Sequence, residues 1–139
     1  MRMTGRVFKV AKWWAIEVPL LDVVTQGRTK SEAYLMIADA IESLVNRKDF
    51  RISIHKGRGD YFEVDAIDQA TLFAFMLRQR RLARGLSLEA VRRRLGRKSR
   101  NSYARYEQGL SVPTIDKLAD LLTAVGSGND VVLSKSIAA

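Results

Sequence analysis

The first part of the chain alternates apolar and polar residues with a period of two, the pattern of a half-buried β-strand. Residues 6–18 show the alternation twice, and the two residues between the runs, 11–12, are enough for a hairpin turn. Pro19 ends the second run, and residues 23–25 form a brief third apolar segment. These positions predict two or three short antiparallel strands.

The apolar spacing then becomes helical. Thr29 and Glu32 have the spacing of a capping box, in which the Thr hydroxyl accepts from the Glu32 backbone N–H and the Glu carboxylate accepts from the Thr29 backbone N–H. One face of the following helix is apolar: Ala33, Ile37, Ala40, Ile41 and Leu44. Alternation returns at residues 50–54 and predicts another strand. Residues 1–56 are therefore predicted to form a small α+β domain with the element order β-β-(β)-α-β.

Residues 57–67 begin with a turn-rich stretch and are predicted to be a linker or hinge, although residues 61–64 are also compatible with an extension of the sheet or with a segment that lies over the next helix. The helical pattern covers residues 68–126, with helices expected near 69–84, 88–95, 100–108 and 114–125. A glycine follows each of these segments: Gly85, Gly96, Gly109 and Gly126. This predicts an all-α four-helix domain, followed by a C-terminal tail at 127–139.

Charge divides the chain at the same place. The net charge is +9, but residues 1–70 hold eleven basic and ten acidic residues, whereas residues 71–139 hold thirteen and five. Eleven basic residues lie between Arg78 and Arg105, where Glu89 is the only acidic one. A folded helical surface of this kind predicts binding to the phosphate backbone of a nucleic acid.

Two short helices joined by a turn that contains glycine, here 88–95 and 100–108, are typical of a helix-turn-helix, whose second helix enters the major groove of duplex DNA. Bidentate side chains such as Arg and Asn read base edges, whereas phosphate contacts position the protein without reading sequence. The candidates for base contacts are Arg100, Asn101, Ser102 and Arg105. The candidates for phosphate contacts are Arg92, Arg93, Arg97, Lys98 and Ser99.

The helical segment MLRQRRLARGLSLEAVRRRLG, together with SRNSYARYEQGLSVPTIDKLADLL, resembles the lambda-repressor-like (XRE) helix-turn-helix family. The shared features are the Leu-Arg-x-x-Arg of the first helix, residues 85–87, Gly96, residues 106–109 and Pro113. The resemblance implies that Tyr106 lies in the core and that Glu107 pairs with Arg81. Two further residues are expected to have structural roles. Gly96 is expected to end its helix, and Tyr103 is the other large side chain of its helix that is expected to point into the core.

The N-terminal segment VPLLDVVTQGRTKSEAYLMIADAIESLV resembles the HicB antitoxin family through Pro19, residues 25–27 and the Thr29-x-x-Glu32-Ala33 helix start. The resemblance implies a reduced RNase H-like sheet that binds a small HicA-like toxin, an enzyme that cleaves mRNA. Because this segment is followed by an XRE-like domain, the two resemblances together imply an antitoxin. Such an antitoxin blocks the toxin and represses its own operon as a homodimer or higher homo-oligomer. Trp13, Trp14 and Glu17 are the candidates for the partner interface, with one tryptophan expected in the core.

Other chemistry has little support in the sequence. The absence of cysteine excludes disulfides and thiolate-bound zinc. No signal peptide or bilayer-length apolar run is present, which predicts a cytoplasmic protein without membrane contact. No catalytic residue, metal site or cofactor is expected, since His55 is the only histidine and Glu17 with Asp22 is too few carboxylates for a metal cage. Two alternatives remain open: a repressor whose α+β domain senses a small molecule, and a metal-dependent nuclease.

Overall fold

A computed structural model describes residues 1–96, 103–126, 132 and 134–137 of the chain. The chain divides into two compact units, Met1–Gln69 with Ser134–Ala139, and Ala70–Leu133. The elements of the first unit are β1 (Met3–Val10), β2 (Trp13–Val18), a short 3-10 helix (Pro19–Leu21), β3 (Val23–Gly27), α1 (Lys30–Val45), β4 (Ser53–Lys56) and β5 (Tyr61–Asp65). The elements of the second unit are α2 (Gln69–Ala83), α3 (Leu88–Leu95), α4 (Tyr103–Glu107) and α5 (Ile115–Val125).

The five strands form one antiparallel sheet in the order β3-β2-β1-β5-β4. Val7 pairs with Ile16 across the β1–β2 hairpin, and Gly5 pairs with Phe62 between β1 and β5. The α+β class predicted from the sequence is therefore confirmed. The sheet contains one strand that the predicted pattern lacks, β5, which lies between β1 and β4.

Helix α1 begins at the predicted capping residue. The Glu32 backbone N–H donates to Thr29 Oγ1 at 3.0 Å, as the sequence predicts. The Glu32 carboxylate accepts from the Arg28 backbone N–H at 2.6 Å, one residue before the expected donor at Thr29. The helix ends at Asn46, whose left-handed φ of 51° is a conformation that Asn tolerates better than most residues.

The core of the first unit lies between α1 and one face of the sheet. The inward residues of the strands are fully buried: Val7, Ile16, Val18 and Phe62. Three residues of α1 are also fully buried: Ala33, Ile37 and Ile41. The Tyr34 ring meets the Phe62 ring edge-on, with 5.4 Å between centroids. Position 5 must be glycine here, because a Cβ at Gly5 would overlap the Phe62 ring.

The predicted linker at 57–67 needs correction. Tyr61–Asp65 pairs with strands on both sides, so most of this segment belongs to the first unit, and the division between the units falls at Gln69. Part of the predicted tail also belongs to this unit. The buried Glu63 carboxylate accepts from the Ile137 backbone N–H at 2.8 Å and hydrogen-bonds to the Ser136 hydroxyl.

The second unit is helical in all its described elements, as predicted. The Ser87 hydroxyl caps α3 by accepting from Ala90 N–H, and the Thr114 hydroxyl caps α5 by accepting from Lys117 N–H. Helix α3 packs against α4 and α5. The buried side chains of these three helices form the core here: Val91, Tyr103, Leu121, Ala124 and Val125.

Candidate nucleic-acid interface

Arg81, near the end of α2, is joined to Glu107, at the end of α4. The Arg81 Nη2 lies 2.7 Å from Glu107 Oε1, and Nε lies 2.9 Å from Oε2. Arg81 Nη1 also donates to the Leu86 carbonyl at 2.8 Å, so one guanidinium ties together two helices and the loop before α3. Only 13% of the Arg81 side chain and 8% of the Glu107 side chain is exposed. This is the pair that the resemblance to XRE domains implies.

Tyr103 is fully buried beside this pair. Burial raises the pKa of its hydroxyl far above the usual value of 10.0, and the neighbouring Glu107 carboxylate raises it further. Tyr106 is only half-buried. The expectation that Tyr106 lies in the core therefore needs correction, because it is Tyr103 that fills the space under α4.

Gly96 ends α3 in a conformation that favours glycine. Its φ is 74°, and its backbone N–H donates to the Arg93 carbonyl at 3.4 Å. Among the described residues, a side chain at this position would meet no neighbour within 4 Å, so the requirement comes from the backbone angle. The predicted structural role of Gly96 thus rests on its own backbone angle at the end of α3.

The three consecutive arginines at 92–94 differ in their surroundings. Arg93 is exposed, and Arg92 is half-buried with its Nη1 3.9 Å from Glu89 in the preceding turn. Arg94 Nη1 donates to the Ala124 carbonyl at 3.0 Å, at the C-terminal end of α5. A cation there complements the helix dipole and an end carbonyl. Arg94 thus supports α5, a role that the sequence pattern alone did not indicate.

Arg105 is exposed on α4, and its Nε lies 3.3 Å from the Ser111 hydroxyl in the following loop. This contact uses one of the five N–H donors of the guanidinium. The other predicted base and phosphate contacts fall outside the described residues: Arg97, Lys98, Ser99, Arg100, Asn101 and Ser102. Among the predicted DNA contacts, Arg92, Arg93 and Arg105 are the ones that the structure describes.

The three predicted partner-interface residues do not share one surface. Trp14 lies on the α1 face of the sheet, where Lys30 Nζ is 5.6 Å from its ring centroid. Trp13 and Glu17 alternate with it and lie on the opposite face. Both tryptophans are half-buried, so the expectation that one of them belongs to the core is wrong.

The sheet face opposite α1, which we call the second face, carries further apolar side chains near Trp13. Phe8 and Tyr61 lie on either side of Arg6, whose guanidinium is 4.9 Å from the Phe8 centroid and 5.9 Å from the Tyr61 centroid. Tyr61 is 49% exposed, and Val24 on the edge strand is 68% exposed. Apolar and aromatic side chains grouped in this way are typical of protein interfaces.

His55 lies on β4 with its Nε2 3.1 Å from Asp65 Oδ1, so the histidine has a carboxylate partner within the sheet. Over the ranges that the structure describes, no group of three His, Asp or Glu side chains has an arrangement that could hold a metal ion. Within the same ranges, none of the helices combines the length and apolarity needed to cross a bilayer.

The family model described as a helix-turn-helix domain matches residues 72–133, which include α3, α4, α5 and most of α2. This match supports DNA binding by the second unit. A search of curated proteins found no match for the chain.

Proposed function

We propose that this chain is an antitoxin that represses its own operon, with the second unit binding operator DNA and the first unit binding and blocking a small HicA-like RNA-cleaving toxin. The observation that carries the DNA-binding part is the helix-turn-helix match over a strongly basic unit. The protein acts by binding and is not an enzyme, and it works in the cytoplasm, where its operator and the mRNA are found.

The DNA-binding part assigns different roles to the basic residues. Arg92 and Arg93 contact phosphates, and Arg105 reads a base edge in the major groove together with the candidates at 100–102. The buried Arg81–Glu107 pair supports this assignment. It holds α4 against α2 through a buried cation, so the exposed arginines remain available for DNA. Fluorescence anisotropy with the duplex upstream of the gene, against a scrambled duplex, tests it. Equal affinity for both duplexes would contradict operator recognition.

Recognition of a two-fold symmetric operator needs two copies of the chain, with half-sites about one helical turn apart. Three large apolar side chains after α4 are strongly exposed and fit a contact between copies: Leu110 at 60%, Val112 at 75% and Ile115 at 85%. A Val112→Asp/Ile115→Asp variant should therefore sediment as a smaller species and bind a single half-site as well as the wild type does.

The toxin-binding part rests on the resemblance to HicB and is supported by the second face of the sheet. Trp13 and Glu17 lie there among exposed apolar neighbours, and an aromatic anchor within an apolar patch is the usual centre of a protein interface. The fold is compatible with this role, since α1 covers one face of the antiparallel sheet and the patch lies on the other.

Co-expression with the neighbouring reading frame tests this part. Wild type should co-purify with a small basic protein and suppress its RNA cleavage, whereas Trp13→Ala and Val24→Asp should lose the complex. Leu35→Asp is the control, because Leu35 is 73% exposed but lies on the outer side of α1. Retention of the complex by both second-face variants would contradict the proposed surface. An operator affinity that changes with a small metabolite would instead favour the ligand-responsive repressor.

A further inference from the structure

The near-neutral charge of the first unit is an average over two unlike regions. Six basic and two acidic residues lie at the end of the sheet where the hairpins turn, which gives this region a net charge of +4: Lys9, Lys12, Arg28, Lys30, Lys56, Arg58, Glu32 and Asp60. We call this region the hairpin end. The other charged residues of 1–69, five basic and eight acidic, carry −3. The unit is therefore polarised.

The topology of the sheet explains why these residues meet. Three connections lie at the same end: the turn between β1 and β2, the junction between β3 and α1, and the turn between β4 and β5. Residues that are far apart in the sequence, such as Lys12 and Arg58, thus belong to one surface. Every cation of the hairpin end is exposed except Lys30, which is half-buried.

Contacts within the unit hold part of this surface in place. Lys30 Nζ donates to the Gly59 carbonyl at 3.1 Å and also lies over the Trp14 ring, so it joins α1 to the β4–β5 turn. Lys56 Nζ lies 4.9 Å from the centroid of the Tyr34 ring. Cations fixed in this way lose less conformational entropy on binding a ligand than freely rotating ones. The cost of the remaining like-charge repulsion is relieved when a polyanion binds.

We propose that the hairpin end contacts the phosphate backbone of duplex DNA next to the half-site that the helix-turn-helix binds. The inference rests on DNA binding by the second unit. Only residues 66–68 join β5 to α2, and three residues span at most about 10 Å. They leave the sheet at the end opposite to the hairpin end, because β5 runs from Tyr61, which pairs with Arg6, to Val64, which pairs with Met3. When the second unit binds DNA, the hairpin end is therefore a tethered group whose effective concentration near flanking phosphates is set by this connection and by the length of the sheet.

The charge of the hairpin end also distinguishes it from the second face. The second face combines Trp13, Val24 and other apolar side chains with one cation and one anion, Arg6 and Glu17, which occupy opposite positions on β1 and β2. Its mainly apolar character fits a protein partner. The hairpin end has excess positive charge, which fits phosphates. One unit can thus contact a protein through one surface and DNA through another.

The test compares two double variants of the full chain with the same loss of charge. Lys12→Gln/Arg58→Gln removes two exposed cations from the hairpin end, and Arg47→Gln/Lys48→Gln removes two from the loop after α1, at the opposite end. Binding to a minimal half-site duplex and to the same duplex with long flanks is measured at several salt concentrations. Chemical denaturation of each variant checks that the fold is retained.

On the flanked duplex, the hairpin-end variant should bind with a salt slope lower by up to about 1.8, since each phosphate contact contributes roughly 0.9. It should match the wild type on the minimal duplex, and the control variant should match it on both. Equal behaviour of the two variants on flanked DNA would overturn the proposal. If the wild type binds both duplexes no better than scrambled DNA, the proposed operator recognition fails. The difference in salt slope between the two variants on flanked DNA can still be measured in that case, so the two proposals fail separately.

Discussion

Arg81 and Glu107, 26 positions apart, are joined by three N–H···O contacts of 2.7 to 3.1 Å in a setting that excludes most solvent. The Glu107 hydrogen bond raises the pKa of Arg81 above its ordinary value, although burial acts in the opposite direction. Removing one partner of such a pair leaves a buried charge without its counterpart. The pair therefore makes the position of α4 depend on the end of α2.

The isosteric change Glu107→Gln should lower the free energy of unfolding of the second unit by about 3–5 kcal/mol, because Arg81 keeps its charge in a buried site. Chemical denaturation followed by circular dichroism measures the change. Glu89→Gln is the matched control, since the side chains of the Glu89–Arg92 pair are 43% and 33% exposed and their nearest charged atoms are 3.9 Å apart. It should cost less than about 1 kcal/mol. Similar losses in both variants would contradict a special role for the buried pair.

Tyr103 predicts a loss of stability at high pH. Because its pKa is raised in the folded state, the native protein keeps the hydroxyl proton above pH 10 while the unfolded chain releases it. Stability is then unaffected below pH 10 and falls above it, by about 1.4 kcal/mol per pH unit from this one group. Urea denaturation from about pH 9 to about pH 11 should show this slope in the wild type and a smaller slope in Tyr103→Phe. The raised pKa of Tyr34 acts in the same direction in both proteins and cancels in the comparison.

Neighbouring arginines of α3 should respond differently to the same substitution. Arg93→Gln should reduce the salt slope of DNA binding by about 0.9 and weaken all duplexes to the same degree, as expected for a phosphate contact. Arg94→Gln should leave the slope unchanged but destabilise the second unit by roughly 1–2 kcal/mol, because it removes the hydrogen bond to the Ala124 carbonyl. Equal slope losses would instead place both arginines on DNA.

The local features of the first unit could be predicted from the sequence because short-range chemistry determines them. The Thr29 cap, the β1–β2 hairpin and the alternation of β2 all appear in the structure. Strand β5 could be suggested but not placed, since its pairing with β1 is non-local and its middle residue, Glu63, is a buried carboxylate. The partners that stabilise Glu63 lie more than 60 residues away, where a local pattern cannot identify them.

The candidate site shows the same limit. The resemblance implied the Arg81–Glu107 pair, and the structure contains it. Tyr103 and Tyr106 have similar sequence patterns, and the burial of Tyr103 depends on how α4 sits on the neighbouring helices. Arg94 has the same sequence surroundings as Arg92 and Arg93, and what distinguishes it is its hydrogen bond to the Ala124 carbonyl of α5. These distinctions arise from tertiary packing, which propensity and spacing do not encode.

Gly5 provides a test of packing between β1 and β5. A methyl group added at this position would overlap the Phe62 ring and the Glu17 carbonyl, so Gly5→Ala should cost about 1–3 kcal/mol of stability. Thr4→Ala, at the exposed neighbouring position, should cost less than half as much. Thermal unfolding measures both, and Gly5→Ala/Phe62→Leu should regain part of the loss because a smaller side chain makes room. No recovery in the double variant would place the strain on the Glu17 carbonyl side.

Arg105 and Ser111 give the sharpest prediction about sequence reading. If the Arg105 guanidinium reads a base edge, Arg105→Ala should weaken operator binding by roughly 1–3 kcal/mol and leave binding to scrambled DNA nearly unchanged apart from one lost charge. Ser111→Ala removes the contact at 3.3 Å that orients Nε, and it should produce a smaller loss of the same specific kind with the charge retained. Arg93→Ala is the control, because a phosphate contact should weaken both duplexes together. Anisotropy titrations on the two duplexes compare the three variants, and parallel losses on both for Arg105→Ala would assign Arg105 to the backbone.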